Sequence, residues 1–442
     1  MTLLLRAGLL FTGSREIENG WLFVRDGRIA GIGSGPAPQA DDSVNEPNCV
    51  AMPGFVNAHD HMYQWATRGY APDGTLFEWL RALYPVWARI DAGTVRAAAR
   101  AAMARLLLSG CTLSTDHHYV FPRGRTGIFE ALVETAGELG LRFHPCRGSM
   151  SLGESKGGLP PDSVVEDEDA ILAHTEELIA RHHDAGPGSM CRVVVAPCSP
   201  FSVTPQLMRD SAELARKHGV RLHTHLAETL DEERFCIEKF GRRPYELMED
   251  LGWTADDVWY AHGIHLSDAE VGRVAEVKAG IAHCPSSNMR LGAGVCRVAD
   301  LVRAGARVGL GVDGSASNED ANLAVEAHQA LLLARVRNQS PRALDARVAL
   351  RLATQGGADC LGRDDCGSLE LGKCADVACF RVDDLAHAGI KDVVAGLALA
   401  PPARAQTVVV NGKVVVREGR LLTADEEDIA RDIAATSARL AG

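Results

Sequence analysis

The sequence predicts an α/β fold: a (β/α)8, TIM-like barrel with a small β-sandwich domain built from both termini. Three observations carry this. Between about residues 50 and 315, short β-branched or apolar runs alternate eight times with amphipathic helical stretches, the pattern of parallel strands joined by crossover helices. Residues suited to metal chemistry recur where those runs end. Both termini read instead as short strands joined by tight turns. A doubly wound open sheet shows a similar alternation and is the competing architecture.

In chain order, residues 1–50 hold short strands with a turn at Asp26-Gly27, as in WLFVRDGRIAGIG. The eight runs follow: CVAMPGFVNAH (49–59), TLSTD (112–116), RFHPC (142–146), RVVVAP (192–197), RLHTH (221–225), VWYAH (258–262), GIAHC (280–284) and RVGLGVD (307–313). Helical segments lie between them. Thr94 to Ser109 is closed by Gly110, and Pro205 to His218 is opened by Thr204 and closed by Gly219, matching the preference for proline at the first turn and glycine just past the last. Helical stretches from about 316 to 361 lead to the tail. There GSLELGKCADVACF and TVVVNGKVVVREG read as strands, with a hairpin signal at Asn411-Gly412. Neither end has enough apolar residues for a core of its own. The expected domains are therefore a composite sandwich (1–53 and 362–442) and a barrel (54–361).

The net charge of −12 over 442 residues argues against nucleic-acid or anionic-membrane partners, which need a cationic surface. No apolar run reaches the roughly 20 residues of a membrane helix. The opening MTLLLRAGLLFTG is interrupted by Arg6 and Gly8 and lacks the parts of a signal peptide. Twelve cysteines with no CxxC spacing fit a reducing compartment better than a disulfide framework. The expected protein is cytoplasmic, with a small-molecule partner.

The chemistry sits at the run ends. His59 and His61 follow the first, His225 and Glu228 the fifth, His262 the sixth and Asp313 the eighth. Residues two apart on a strand share a face, and a barrel gathers the carboxyl ends of all its strands at one mouth. A lone histidine at a strand end is usually a hydrogen-bonding residue; six such groups on four strands are a constellation. Three imidazoles and one carboxylate suit zinc, with water completing the shell. Such a metal lowers the pKa of its water to roughly 7, and hydrolysis then needs groups that move protons. Asp313 can take the proton from water. Glu228 can protonate a ring nitrogen and later the leaving amine, with His262 orienting the nucleophile.

DGRIAGIG, MPGFVNAHDH, HTHLAE, AHCPSSNMRLGAG, GLGVDGSASN, GSLELGKCADVACF and VVVNGKVV together resemble the amidohydrolase superfamily, in its purine and triazine aminohydrolase branch. The resemblance runs over essentially the full length. It implies one divalent metal per subunit on His59, His61, His225 and Asp313, usually Zn2+ and sometimes Fe2+, with Glu228 and His262 handling protons. Binuclear relatives carry a lysine at the end of strand four; VVVAPCSPFS has none, which favours one metal and a deaminase. The resemblance also suggests a homo-oligomer.

For the substrate, Gln64 matches the position of an amide that holds a purine edge, and Arg147 that of an arginine on a carbonyl oxygen; both fit their hydrogen-bonding chemistry. A salt bridge to an acidic neighbour is the competing reading of Arg147. Cys198 stands where adenosine-type relatives place a substrate-contacting histidine, or is simply a small buried residue. His117 is expected to line the pocket after strand two, and Trp65, Phe77, Trp79 and Trp87 to supply aromatic walls. Asp60 within HxH and Gly263 after His262 depart from the family pattern. The expected reaction is hydrolytic deamination of an oxo-substituted purine, 8-oxoguanine giving uric acid and ammonia. Hydroxytriazines, isoxanthopterin or guanine are alternatives on the same site. A non-catalytic scaffold of this fold is the alternative from another class.

Overall fold

The computed structural model describes residues 1–442. Eight parallel strands close into a barrel: Phe55–Asn57, Cys111–His118, Arg142–Ser149, Val194–Pro197, Leu222–Leu226, Val258–His262, Gly280–His283 and Arg307–Leu310. Each pairs with the next, and Leu310 opposite Asn57 closes the ring. This is the barrel and not the open sheet. Small apolar residues such as Val56, Leu113, Val194 and Ala282 fill its interior around the fully buried Trp259.

The intervening helices start and stop where their caps dictate. In Pro205–His218 the Thr204 hydroxyl accepts from the Leu207 amide, and Gly219 turns left-handed at φ 64°. Ala92–Leu108 begins two residues earlier than its sequence pattern suggests, because Asp91 caps it by accepting from the Thr94 amide. No helix is long and apolar enough to cross a membrane.

Both chain ends build one continuous nine-stranded sheet, joined where Asp42–Pro53 pairs antiparallel with Val377–Arg381. Alternate residues of these strands, including Leu3, Leu5, Leu22, Val24, Val377, Cys379 and Val409, gather into an apolar cluster separate from the main core. The sheet curls around this cluster, giving the small sandwich-like unit at the barrel's flank. Asp376 fastens the two units: its oxygens accept from Arg142 Nε (2.9 Å) and Nη2 (3.1 Å) and from the Asn411 amide (2.7 Å).

The hydrogen-bonded parts of the first and eighth strands end at Asn57 and Leu310, short of the residues of interest. His59, His61 and Asp313 therefore lie on the segments leaving the sheet. They are tied to it by Ala58 N–H to the Leu310 carbonyl (2.9 Å) and Asp313 N–H to the His59 carbonyl (3.0 Å). Asp313 (φ 59°) and His262 (φ 72°) both sit in the left-handed region, at a typical cost of about 1–3 kcal/mol each. That conformation turns each side chain into the barrel mouth.

Candidate metal and catalytic site

His59, His61 and His225 each bring one ring nitrogen within 4.8 Å of the others, and His59, His262 and Asp313 form an overlapping group. Asp313 Oδ1 is 3.3 Å from Nε2 of both His59 and His61, and His61 Nε2 is 3.0 Å from His225 Nε2. All four side chains are buried.

The opposite ring nitrogens decide the tautomers. His61 Nδ1 lies 2.6 Å from the His117 carbonyl oxygen, and His225 Nδ1 2.6 Å from that of Cys198. A carbonyl only accepts, so both Nδ1 atoms carry the proton and both Nε2 atoms present lone pairs. His59 Nδ1 is 2.8 Å from Nε2 of His223, and the fully buried His59 Nε2 has no protein partner. Burial holds the three imidazoles neutral, reinforced by the neighbouring imidazoles at His61 and His225 and opposed by Asp313 at His59, with the pKa of His61 lowered to about 3. Bare lone pairs facing one another 3.0 Å apart repel. The donor set fits a divalent cation, and these spacings match ligand atoms around a tetrahedral metal with bonds of about 2.0–2.1 Å.

Asp313 stays ionised: burial opposes its charge, but His59, His262 and His61 outweigh it and hold the pKa well below the usual carboxylate range. Its Oδ2 accepts from the Ser287 hydroxyl at 2.6 Å, and Oδ1, which accepts from the Gly314 amide at 2.8 Å, faces the imidazoles. Glu228 Oε2 lies 3.7 Å from His262 Nε2. Burial raises the Glu228 pKa to about 7 against the pull of His262. Burial also opposes a charge on His262, but Glu228 and Asp313 outweigh it and raise its pKa. His262 Nδ1–H donates to Asn288 Oδ1 (3.0 Å). The turn carrying Glu228 is braced by Glu232, whose carboxylate accepts from the Ala227 and Glu228 amides (3.0 and 2.8 Å).

His61, His225, Glu228, His262 and Asp313 floor a narrow cavity, with Gln64 and Cys198 in its walls. Leu76, Trp79, Leu80 and Tyr84, all from helix Leu76–Trp87, cover it. Gln64 Oε1 is buried without a partner. Burial pushes the Cys198 thiol up to about 12, so it remains protonated.

Two expected contacts fall elsewhere. Arg147 does not line the cavity. Its guanidinium pairs with Glu166 (2.7 and 3.0 Å) and lies 4.0 Å over the Phe121 ring. Strand alternation is the reason: neighbouring Cys146 belongs to the barrel interior, which turns Arg147 outward to the helical layer. His117 points inward but one layer too deep. Its ring centroid is 4.7 Å from that of His225, and Tyr119, two residues on, reaches the cavity in its place. Of the four aromatic residues, only Trp79 lines the cavity. Asp60 points away from the ligands and accepts from Asn57 Nδ2 (3.0 Å), which also donates to Ser114 while its Oδ1 accepts from the Val312 amide. Asp60 thus orients the Asn57 amide, which braces the first, second and eighth strands where they open into the site.

Sequence reading passed over His223, Ser287, Asn288 and Tyr119. His223 stood two residues before His225 in HTHLAE, at the spacing that had singled out His59 and His61. Ser287-Asn288 follow the seventh strand directly, and only the fold shows them reaching Asp313 and His262. A further cluster, Asp365, Cys366 and Cys374, also gathers ligand-type atoms. There, however, Arg363 and the Gly188 amide occupy the Asp365 oxygens.

A closed parallel barrel whose mouth presents imidazoles, a carboxylate and a neighbouring acid–imidazole pair defines a hydrolase built for metal-assisted attack by water. The chain belongs to the amidohydrolase family, whose model matches residues 50–415, and acts on C–N bonds. It is 47% identical to the 8-oxoguanine deaminase of Pseudomonas aeruginosa, over 98% of each chain. It is 38% identical to the hydroxydechloroatrazine ethylaminohydrolase of Pseudomonas sp. (strain ADP), over 93% of this chain and 89% of that one. Among solved structures, the zinc complex of atrazine chlorohydrolase from Arthrobacter aurescens superposes with a TM-score of 0.95 at 34% identity, covering 98% of this chain and 100% of that one.

Proposed function

We propose that the protein deaminates an oxo-substituted purine, converting 8-oxoguanine and water to uric acid and ammonia. The observation that carries this reading is the 47% identity to an 8-oxoguanine deaminase across 98% of both chains. The narrow, partly aromatic cavity suits a flat ring, and the free Gln64 oxygen suits a ring N–H.

In this reading His59, His61, His225 and Asp313 hold one divalent metal, with zinc favoured by the imidazole-rich donor set and iron the alternative. A metal held there would act as a Lewis acid toward the water that attacks the amino-bearing ring carbon. Asp313 Oδ1 accepts the proton that water releases. Glu228, neutral at the start because of its raised pKa, gives its proton to the adjacent ring nitrogen. Left as a carboxylate, Glu228 takes the proton of the newly added hydroxyl and passes it to the departing amine, and the proton on Asp313 then returns to Glu228, while His262 beside it balances the charge. Gln64 fixes the base edge, and the Cys198 sulfur takes a weak hydrogen bond from the extra ring N–H of an 8-oxopurine. The subunits assemble as a homo-oligomer, which light scattering tests.

Ammonia release from 8-oxoguanine, guanine, isoxanthopterin and hydroxytriazines is the decisive measurement. Turnover of 8-oxoguanine above the others is expected. Rapid turnover of a triazine with none of 8-oxoguanine would establish the second reading, a hydroxytriazine aminohydrolase, which the 38% identity to such an enzyme supports. Stoichiometric metal in the purified protein separates both from a non-catalytic scaffold.

A further inference from the structure

The three histidines of the cluster are not anchored alike. His61 and His225 are held through Nδ1 by main-chain carbonyls, which no side-chain substitution at the accepting residue removes. His59 alone is held by another side chain, His223, at 2.8 Å. We propose that His223 is a positioning residue that fixes the tautomer and ring orientation of His59 and thereby sets how tightly the site retains its metal. The inference rests on the reading of His59 as a ligand.

The direction of the chain follows from its far end. His223 Nδ1 lies 2.9 Å from the Trp259 carbonyl oxygen. That oxygen can only accept, so His223 carries its proton on Nδ1 and presents a lone pair at Nε2. This lone pair accepts from His59 Nδ1–H, which leaves His59 Nε2 bare toward Asp313. The opposite tautomer of His59 would set two lone pairs against each other across 2.8 Å. One carbonyl thus dictates, through two imidazoles, which nitrogen of His59 is free to bind a cation.

His223 is itself held in place. Its ring stacks on that of Trp259, with centroids 4.2 Å apart and planes 12° from parallel, and both residues are fully buried. The Trp259 indole N–H donates to the Ala58 carbonyl at 3.0 Å, one residue before His59. Trp259 therefore grips the His59 segment twice, by its indole and through His223, and closes a loop across the first, fifth and sixth strands. The partner is also neutral. A carboxylate in this place would make the His59 ring a stronger donor and weaken the metal's Lewis acidity; a neutral imidazole orients without doing so.

The test compares wild type, His223→Gln and His223→Leu, with zinc as the probe. The Gln amide oxygen can accept where Nε2 does; Leu fills space with no acceptor. Zinc affinity is measured by chelator competition, and thermal unfolding of the metal-free proteins reports folding separately. Zinc affinity about 10- to 100-fold weaker in His223→Leu, largely restored in His223→Gln, is the expected result. Wild-type affinity in a folded His223→Leu overturns the inference. Equal loss in both variants, tracking equal losses of thermal stability, also overturns it, since packing alone would then account for the effect. Wild-type protein that binds no zinc overturns the ligand reading of His59 and this inference together. Zinc bound by wild type and by His223→Leu alike overturns only the role of His223.

Discussion

The Ser287 hydroxyl donates to Asp313 Oδ2 across 2.6 Å, and this bond assigns the two carboxylate oxygens different tasks. Oδ1, which accepts from the Gly314 amide at 2.8 Å, lies 3.3 Å from the Nε2 atoms of His59 and His61. Ser317 stands behind as a weaker partner, 2.9 Å from Ser287 Oγ and 3.5 Å from Oδ2. Ser287→Ala strips the hydroxyl donor from Oδ2 of a buried charge and leaves every proposed ligand in the sequence. The expected outcome is a fall in kcat/KM of about 10- to 100-fold in protein whose zinc content stays at the wild-type level. Steady-state kinetics beside metal analysis checks it; unchanged kcat/KM would show that the carboxylate orientation is set elsewhere.

Glu228 gives a pH-dependent prediction with opposite signs for activity and stability. Burial raises its pKa from the ordinary 4.5 to about 7 in the fold. The native state thus holds a proton that the unfolded chain has released above pH 4.5. The resulting stabilisation is complete below that value and is lost as pH rises through 7. Glu228→Gln cannot ionise, so its Tm should match wild type near pH 4.5 and exceed it at pH 8.5. Its activity should fall by about 10²- to 10⁴-fold, as for loss of a general acid. Unfolding curves at the two pH values and kcat/KM across pH 5–9 supply the readouts. A variant that is inactive yet no more stable at pH 8.5 would mean that the folded carboxyl is not the neutral group described.

The parts of this fold that recur periodically were legible in the sequence. The eight barrel runs and the turns at Asp26-Gly27 and Asn411-Gly412 all carry local signals, and the structure finds strands at each run. The grouping of His59, His61, His225, His262 and Asp313 followed from one topological rule, that parallel strands end at a common mouth. What escaped depends on depth and facing within that mouth. His117 and Tyr119 are two residues apart on one inward face, and only packing decides which reaches the cavity. Arg147 needed its strand's phase, set by Cys146. Ser287 needed the path of a loop after the seventh strand that no periodicity describes.

Gln64 and Gly314 make a close pair at the cavity wall. A Cβ added at Gly314 would stand 1.8 Å from Gln64 Oε1. Gly314 itself has φ −68° and ψ 141°, a conformation open to any residue, so Gly314→Ala introduces no backbone strain. The only large consequence is displacement of the flexible Gln64 amide. If Gln64 holds the substrate edge, KM should rise about 10-fold, the equivalent of one hydrogen bond, with kcat and metal content nearly preserved. Gln64→Ala should give a similar KM and, combined with Gly314→Ala, no further loss. Additive effects in the double variant would indicate that the two positions act separately.

Arg147 and Glu166 separate a structural role from a substrate role at a position where the sequence suggested the latter. The Arg147 side chain is 0% exposed and that of Glu166 21% exposed. The pair is bidentate, and Phe121 backs the guanidinium at 4.0 Å. Removing one partner leaves the other charge buried and uncompensated, which typically costs about 3–5 kcal/mol. Glu166→Gln keeps the shape and loses the charge, so its Tm should drop by several degrees. Because neither residue lines the cavity, KM for an oxo-substituted base should remain at the wild-type value. Thermal unfolding and KM measured on the same preparation decide the matter. A raised KM with an unchanged Tm would return Arg147 to the substrate, and would require the guanidinium to swing from Glu166 into the barrel mouth when the base binds.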